Sequence, residues 1–166
     1  YHPVGSKPRL ALALMLYTGQ RRSDIVRLGP QHIKEGWITL TQAKNRDRKP
    51  VTLSIPVLPE LKVVVDATPT GNLAFLVTAF GKPFTSNGFG NWFRKQCDEA
   101  GLKHCSAHGL RKAGAALAAE NGATERQLMA IFGRTTMKEA SRYTRAARQK
   151  VLAASGMKLL SREGAG

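Results

Sequence analysis

The sequence predicts a mainly α-helical fold with a small three-stranded antiparallel sheet. Apolar residues recur at helical spacing over most of the chain, and capping residues and glycine stops bound these segments. Strict alternation of apolar and polar side chains is confined to residues 38–41 and 51–55, which predicts a β-hairpin with a basic tip. At 166 residues, without a linker-like stretch, the chain is expected to form one domain with its own core.

The helices are predicted from their start and stop signals. Pro8 stands at the start of a largely buried helix, and Gly19 is the residue that ends it. Further helices are predicted over residues 25–28, 61–65, 87–100, 107–121 and 125–132, and from about 136 towards 154. Gly156 is predicted to break the last helix. Residues 73–77 are predicted to form the third strand beside the hairpin.

The charge balance indicates a polyanionic partner. Lys and Arg number 26 against 11 Asp and Glu, which gives a formal net charge of +15. Charge of this size is not needed for folding, and nucleic acid is the leading candidate partner. A membrane surface is the weaker candidate, because no basic amphipathic helix carries a Trp, Phe and Leu face and no apolar run reaches spanning length.

The cysteines argue against a disulfide scaffold and against a zinc site. Only Cys97 and Cys105 occur, too few for a disulfide-dense secreted protein. They lie near His104 and His108, but the paired C-x-x-C spacing of structural zinc sites is missing. We therefore expect reduced thiols in a cytoplasmic protein, with no bound metal and no cofactor.

Four separated motifs carry residues suited to phosphate chemistry. They are Arg21 in the run TGQRRSD, Lys44 in QAK, His108 and Arg111 in HGLR, and Tyr143 in RYTR. The spacing of i and i+3 places His108 and Arg111 on one helix face. Alternation along the strand predicts that Lys44 faces the protein body, on the side of residues 38 and 40. Each residue alone also has an ordinary explanation as surface charge or core.

These four motifs, in this order, resemble the catalytic domain of the tyrosine recombinases (phage integrases) along nearly the whole chain. The resemblance implies that fold and a metal-independent DNA strand transferase acting through a covalent 3′-phosphotyrosyl intermediate. Tyr143 would be the nucleophile, and Arg21 and Arg111 would bind the phosphate oxygens. Lys44 would protonate the departing 5′-oxygen, and His108 would accept the tyrosine proton.

One position departs from the family pattern. Nine residues before the tyrosine the family usually has His or Trp, and this chain has Arg134. A guanidinium also donates hydrogen bonds to phosphate, so Arg134 belongs to the predicted catalytic set. The same departure favours one alternative, a non-catalytic DNA-binding module derived from an integrase. A type IB topoisomerase, with the same chemistry on one strand, is the other alternative.

The resemblance also predicts partners and organisation. Residues 1–166 would be a catalytic fragment without the family's N-terminal DNA-binding domains, with 156–166 an exchangeable tail. The full-length protein would form a synaptic tetramer on double-stranded DNA at the bacterial nucleoid, and the isolated fragment would be monomeric. The predicted phosphate contacts are basic residues of the hairpin tip and of the last helix: Arg46, Arg48, Lys49, Arg142, Arg145 and Arg148.

Overall fold

The computed structural model describes residues 1–44, 46–133 and 137–160, and of Met137 only the backbone. Seven α-helices and one three-stranded sheet make up the regular structure of these residues, which confirms the predicted fold class. The chain divides into two compact units, Tyr1–Gly114 and Ala115–Gly166. No helix in the described ranges is long and apolar enough to cross a membrane.

The first unit contains four complete helices, a 3-10 turn, the sheet and the start of a fifth helix. The bounds are α1 Lys7–Thr18, α2 Arg22–Ile25, the 3-10 turn Pro30–His32, β1 Ile33–Lys34, β2 Trp37–Thr41, β3 Thr52–Pro56, α3 Pro59–Ala67, α4 Ser86–Glu99 and α5 Ala107–Glu120. Leu10, Leu14 and Phe89 are fully buried in its apolar core. Burial of this apolar surface is the main stabilising term for the unit.

The sheet has the order β1-β2-β3, and both pairs are antiparallel. β2 and β3 are the predicted hairpin strands, with Ile38 opposite Ile55 in the core. The predicted third strand over 73–77 is wrong, because the third strand is β1. It reaches β2 through a two-residue turn at Glu35 and Gly36, both with positive φ, as tight hairpins require. Residues 74–76 are buried without joining the sheet.

The second unit contains the rest of α5, with α6 Glu125–Phe132 and α7 Met137–Leu160. Its apolar cluster consists of Ala115, Ala119, Leu128, Phe132, Ala140 and Ala147. Thr124 begins α6 as predicted, and its hydroxyl accepts a hydrogen bond from the Gln127 N–H in a capping box. The predicted break at Gly156 is wrong. The helix continues to Leu160, and a glycine inside a helix only weakens it.

A polar contact joins α6 and α7. The hydroxyl of Thr144, which is buried, donates to Oε1 of Glu125 at 2.8 Å, and Arg148 Nη2 lies 3.4 Å from Oε2. The hydrogen bond from Thr144 is the largest cause that lowers the pKa of Glu125, ahead of the Arg148 charge. The ionised carboxylate is therefore the form that stabilises this helix pair.

We expect Thr144→Val to raise the pKa of Glu125 towards the ordinary carboxyl value, since the main hydrogen bond to the charged form is lost. A carboxyl with a lowered folded-state pKa stabilises the fold above its unfolded pKa, and this contribution disappears as pH falls through the folded value. The stability difference between wild type and variant should therefore shrink in acid. Carbon-detected NMR titration of the Glu125 carboxyl and urea unfolding across pH measure both effects.

Arg148→Met is the matched comparison, because it removes the weaker cause and leaves the hydrogen bond. It should raise the pKa of Glu125 less than Thr144→Val does. An equal or larger rise would show that the ion pair, and not the hydroxyl, controls this carboxylate.

Candidate active site

A cavity of about 530 Å³ opens on the first unit, and basic and small polar side chains line it. Four arginines and one histidine contribute to the lining, and none of the described residues that line it is acidic. The lining residues are Arg21, Arg22, Ser23, Ser86, Gly90, Asn91, Arg94, Ser106, Ala107, His108 and Arg111. Guanidinium groups present paired donors to phosphate and carboxylate oxygens, so the cavity is suited to an anion.

The turn after α1 places Arg21 at this cavity. Gly19 has φ +66°, a left-handed conformation that glycine adopts without steric cost, and its N–H donates to the Met15 carbonyl oxygen at 3.1 Å. The chain then turns, and Arg21 is the extended residue that begins α2. Arg21 Nη1 is buried and has no hydrogen-bond partner within the described part of the chain. An unpaired buried donor favours an anion as its partner.

Arg111 is held by the same turn. Its Nη1 donates to the Gly19 carbonyl oxygen, which joins α5 to the end of α1. Ser106 precedes α5, and its hydroxyl accepts from the Gly109 N–H at 3.1 Å, so the helix start is capped. His108 and Arg111 both line the cavity, as their i and i+3 spacing predicts.

Two side-chain contacts, one buried and one partly buried, join this turn to the chain just after β2. Gln42 Nε2 donates to Oε1 of Gln20 at 2.9 Å, and the Ala43 N–H donates to Oδ1 of Asp24 at 2.6 Å. The Asp24 side chain is fully buried. The Asp24 carboxylate therefore fixes the backbone next to Lys44.

Lys44 itself does not face the protein body, and that prediction is wrong. Its side chain is exposed, and it is not among the cavity-lining residues. β2 ends at Thr41, so Ala43 and Lys44 belong to the turn that follows. The alternation of a strand does not extend into a turn, where the backbone changes direction.

Tyr143 belongs to the second unit. It lies on α7, is partly buried and packs against the apolar cluster of that unit. Arg134, the remaining member of the predicted catalytic set, lies outside the described residues. Within the described ranges, no group of three or more His, Cys, Asp or Glu side chains is arranged to hold a metal ion.

The predicted phosphate-contacting residues are all exposed. Arg46, Arg48 and Lys49 lie at the tip between β2 and β3, as expected for a basic hairpin tip. Of those on α7, Arg148 is in an ion pair with Glu125, which reduces its availability to a phosphate. Sequence reasoning missed Arg22 and Arg94 altogether. The four-residue spacing of Ser86, Gly90 and Arg94 along α4 could have indicated Arg94, whereas no such local spacing indicates Arg22.

The chain belongs to the phage integrase family, whose model matches residues 2–150. It is 32% identical over 122 residues to an integrase of Mycobacterium phage FRAT1, covering 71% of this chain and 37% of that protein. It is 28% identical over 175 residues to an integrase of Mycobacterium phage L5, covering 91% and 47%. The chain thus spans less than half the length of these relatives.

The fold is similar to that of a lambda integrase fragment, solved as a dimer bound to a COC′ core site. The TM-score is 0.68 at 22% identity, over 83% of this chain and 52% of that one. The helices and sheet therefore form the catalytic-domain fold of the tyrosine recombinases.

We expect Asp24→Ala to lower the free energy of unfolding by about 1–3 kcal/mol, because it leaves the Ala43 N–H without its acceptor. Asp24→Asn keeps an oxygen in the same place and should cost less. Urea unfolding and amide exchange at Ala43 measure the effect.

Arg27→Ala is the control for this prediction. Arg27 lies 4.0 Å from the same Asp24 oxygen but is partly exposed, so its loss should change stability by no more than about 0.5 kcal/mol. If Asp24→Ala were as mild as Arg27→Ala, the buried carboxylate would not hold the turn.

Proposed function

We propose that this chain is the catalytic part of a site-specific DNA recombinase that cleaves and rejoins DNA through a 3′-phosphotyrosyl intermediate. The observation that carries the proposal is the cavity lined by Arg21, His108 and Arg111, with no acidic side chain among its described lining residues. Phosphoryl transfer needs donors at the non-bridging oxygens, and the two guanidinium groups provide them. Membership of the phage integrase family supports the same reaction.

The proposed cleavage step begins with Tyr143. Its phenolic oxygen attacks the scissile phosphorus, a phosphorus–oxygen bond to the 5′-oxygen breaks, and the protein becomes joined to the 3′-phosphate. His108 accepts the tyrosine proton and Lys44 gives a proton to the departing 5′-oxygen. The reverse sequence, with a 5′-hydroxyl of a second strand as nucleophile, rejoins the DNA. No bond energy is lost to water, so no external energy source is needed.

Arginine charge takes the place of a divalent metal in this proposal. Arg21 and Arg111 stabilise the negative charge that develops on the phosphate oxygens, and the unpaired Nη1 of Arg21 is one donor for it. Arg134 would add a further charged donor where the family usually has His or Trp. Two-metal nucleases instead rely on clustered carboxylates, and no carboxylate is among the described residues that line this cavity.

We assign double-stranded DNA as the substrate and partner. The net charge of +15 and the exposed hairpin residues Arg46, Arg48 and Lys49 support backbone contacts of low sequence selectivity. On α7, Arg142 and Arg145 are exposed and would act in the same way. The lambda integrase fragment of similar fold was solved on DNA, which favours the same class of ligand.

Self-association is proposed for the full-length protein on DNA. The end of α7 exposes a run of large apolar side chains: Val151, Leu152, Met157, Leu159 and Leu160. Such a run is costly in water and is suited to a neighbouring protomer, as the exchangeable tail of a tetramer would require. One short segment buries too little area for a stable interface alone, so the 166-residue chain is proposed to be monomeric without DNA.

Tyr143→Phe should abolish covalent adduct formation, because it removes only the nucleophilic oxygen. The measurement uses a duplex of a candidate attachment site with a nick next to the cleavage position, so that cleavage releases a short strand and traps the protein. Denaturing gels report the adduct, and gel shift confirms that the variant still binds DNA. A phosphotyrosyl linkage in the Phe variant would assign the nucleophile to another residue.

The same substrate separates the alternatives. Adduct with strand exchange between two duplexes indicates a recombinase, and adduct with only nicking and resealing indicates a type IB topoisomerase. DNA binding without adduct on every candidate site would support a non-catalytic module.

Arg21→Ala should slow adduct formation by roughly 10²-fold or more, the usual cost of removing a preorganised transition-state donor. Arg111→Ala should be at least as severe, because it also removes the hydrogen bond to Gly19. Chelation of divalent ions with EDTA should leave the rate unchanged. Single-turnover kinetics measure the rates, and urea unfolding of both variants separates chemistry from folding. Strict dependence on Mg²⁺ would contradict the arginine mechanism.

A further inference from the structure

The cavity contains more positive charge than one phosphate can neutralise. Arg22 and Arg94 line it together with Arg21 and Arg111, whereas a single phosphodiester carries one negative charge. Like charges at short distance repel, and an anion bound between them reduces this repulsion. The volume, about 530 Å³, lies within the range of roughly 300–1,000 Å³ typical of pockets for ligands much larger than one phosphate group.

The position of Arg22 is built into the packing of α2 against α4. Its Nη2 donates to Oδ1 of Asn87 at 3.3 Å. A Cβ placed on Gly90 would lie only 2.5 Å from Nη1 of Arg22, closer than atoms can approach. A glycine inside a helix weakens the helix. The close approach of the Arg22 guanidinium explains why position 90 has no side chain.

The face of α4 towards the cavity extends this arrangement. Ser86, Gly90 and Arg94 are spaced by four residues, so they lie along one side of the helix. Neither Arg22 nor Arg94 forms an ion pair with a carboxylate in the described part of the chain. Both charges are therefore available to a ligand.

We propose that Arg22, seated on Gly90, and Arg94 form a second phosphate-binding subsite for a DNA phosphate next to the one held by Arg21 and Arg111. This rests on the proposed function in one respect, that a DNA strand enters the cavity. Binding of the neighbouring phosphate would fix the register of the strand, so that the scissile phosphate meets the two catalytic arginines. Arg22 and Arg94 are positioning residues in this proposal and take no part in proton transfer.

The test is the salt dependence of DNA binding, measured by fluorescence anisotropy with a labelled 20-base-pair duplex of arbitrary sequence. Each phosphate contact contributes about 0.9 to the slope of log affinity against log salt concentration for B-DNA. All variants carry Tyr143→Phe, so no covalent product interferes. Arg22→Ala and Arg94→Ala should each reduce the slope by about 0.9. Arg22→Lys, which keeps the charge, should retain most of it.

Gly90→Ala gives a second and independent measurement, because it leaves every charge in place. Its methyl group would move the tip of the Arg22 side chain, which keeps its charge, so the slope should fall by less than in Arg22→Ala. Adding Gly90→Ala to Arg22→Ala should produce no further change, since both act on one contact. Gly90→Ala moves the Arg22 side chain without removing it. This variant therefore still tests the subsite if Arg22→Ala does not fold.

Two controls match these substitutions. Lys95→Ala removes a charge from an exposed residue of α4 that is not among the cavity-lining residues. Gly156→Ala adds a methyl group within a helix where nothing lies within 4 Å. Both should leave the slope unchanged. A fall for Lys95→Ala equal to that for Arg22→Ala would overturn the subsite in favour of general surface charge, as would additive effects of Gly90→Ala and Arg22→Ala.

The outcomes distinguish this inference from the proposed function. Covalent adduct by the wild-type chain together with an unchanged slope for Arg22→Ala and Gly90→Ala would overturn the subsite alone. If Arg22→Ala and Gly90→Ala reduce the slope without adding to each other, but the wild-type chain forms no adduct, the subsite is supported and the catalytic proposal is contradicted. Absence of salt-dependent DNA binding by the wild-type chain would overturn both.

Discussion

The left-handed turn at Gly19 is the constraint on which the geometry of the candidate active site depends. It ends α1 and directs the chain into the arginine that follows, and its carbonyl oxygen accepts a hydrogen bond from Arg111. Immediately beyond it, buried side chains join the same turn to the chain just after β2, with Gln20 bonded to Gln42 and Asp24 bonded to the Ala43 N–H. Three elements distant in sequence therefore meet at one turn. A residue with a Cβ would be strained in this conformation, which gives Gly19 its role.

Apolar packing and polar contacts have different roles in this structure. The apolar core holds the helices of the first unit in place, and the polar contacts at the turn only fix where the guanidinium groups lie. The same cavity concentrates four arginines, and this positive charge favours the binding of an anion. The second unit follows the same division. Alanines and Phe132 form its core, whereas the ionised Glu125 connects α6 with the Thr144 hydroxyl of α7.

The sequence by itself determined the fold class, the main helices and the grouping of His108 with Arg111. These features depend on local physics, since periodicity, caps and glycine stops act within a few residues. The start of α6 at Thr124 and the stop of α1 at Gly19 follow from this directly. The hairpin strands were predictable for the same reason, because alternation shows which residues face a core.

Only the tertiary structure decided the features that rest on long-range contacts. The short strand β1 has too few residues for a pattern, and pairing with β2 creates it. Lys44 follows the end of a strand, and the buried Asp24, twenty residues earlier in the chain, fixes the backbone beside it. The passage of Arg22 over Gly90 joins residues far apart in sequence, so no local signal indicates it. Local rules act over one or two turns of the chain, whereas the contacts that shape this cavity join residues far apart in the sequence.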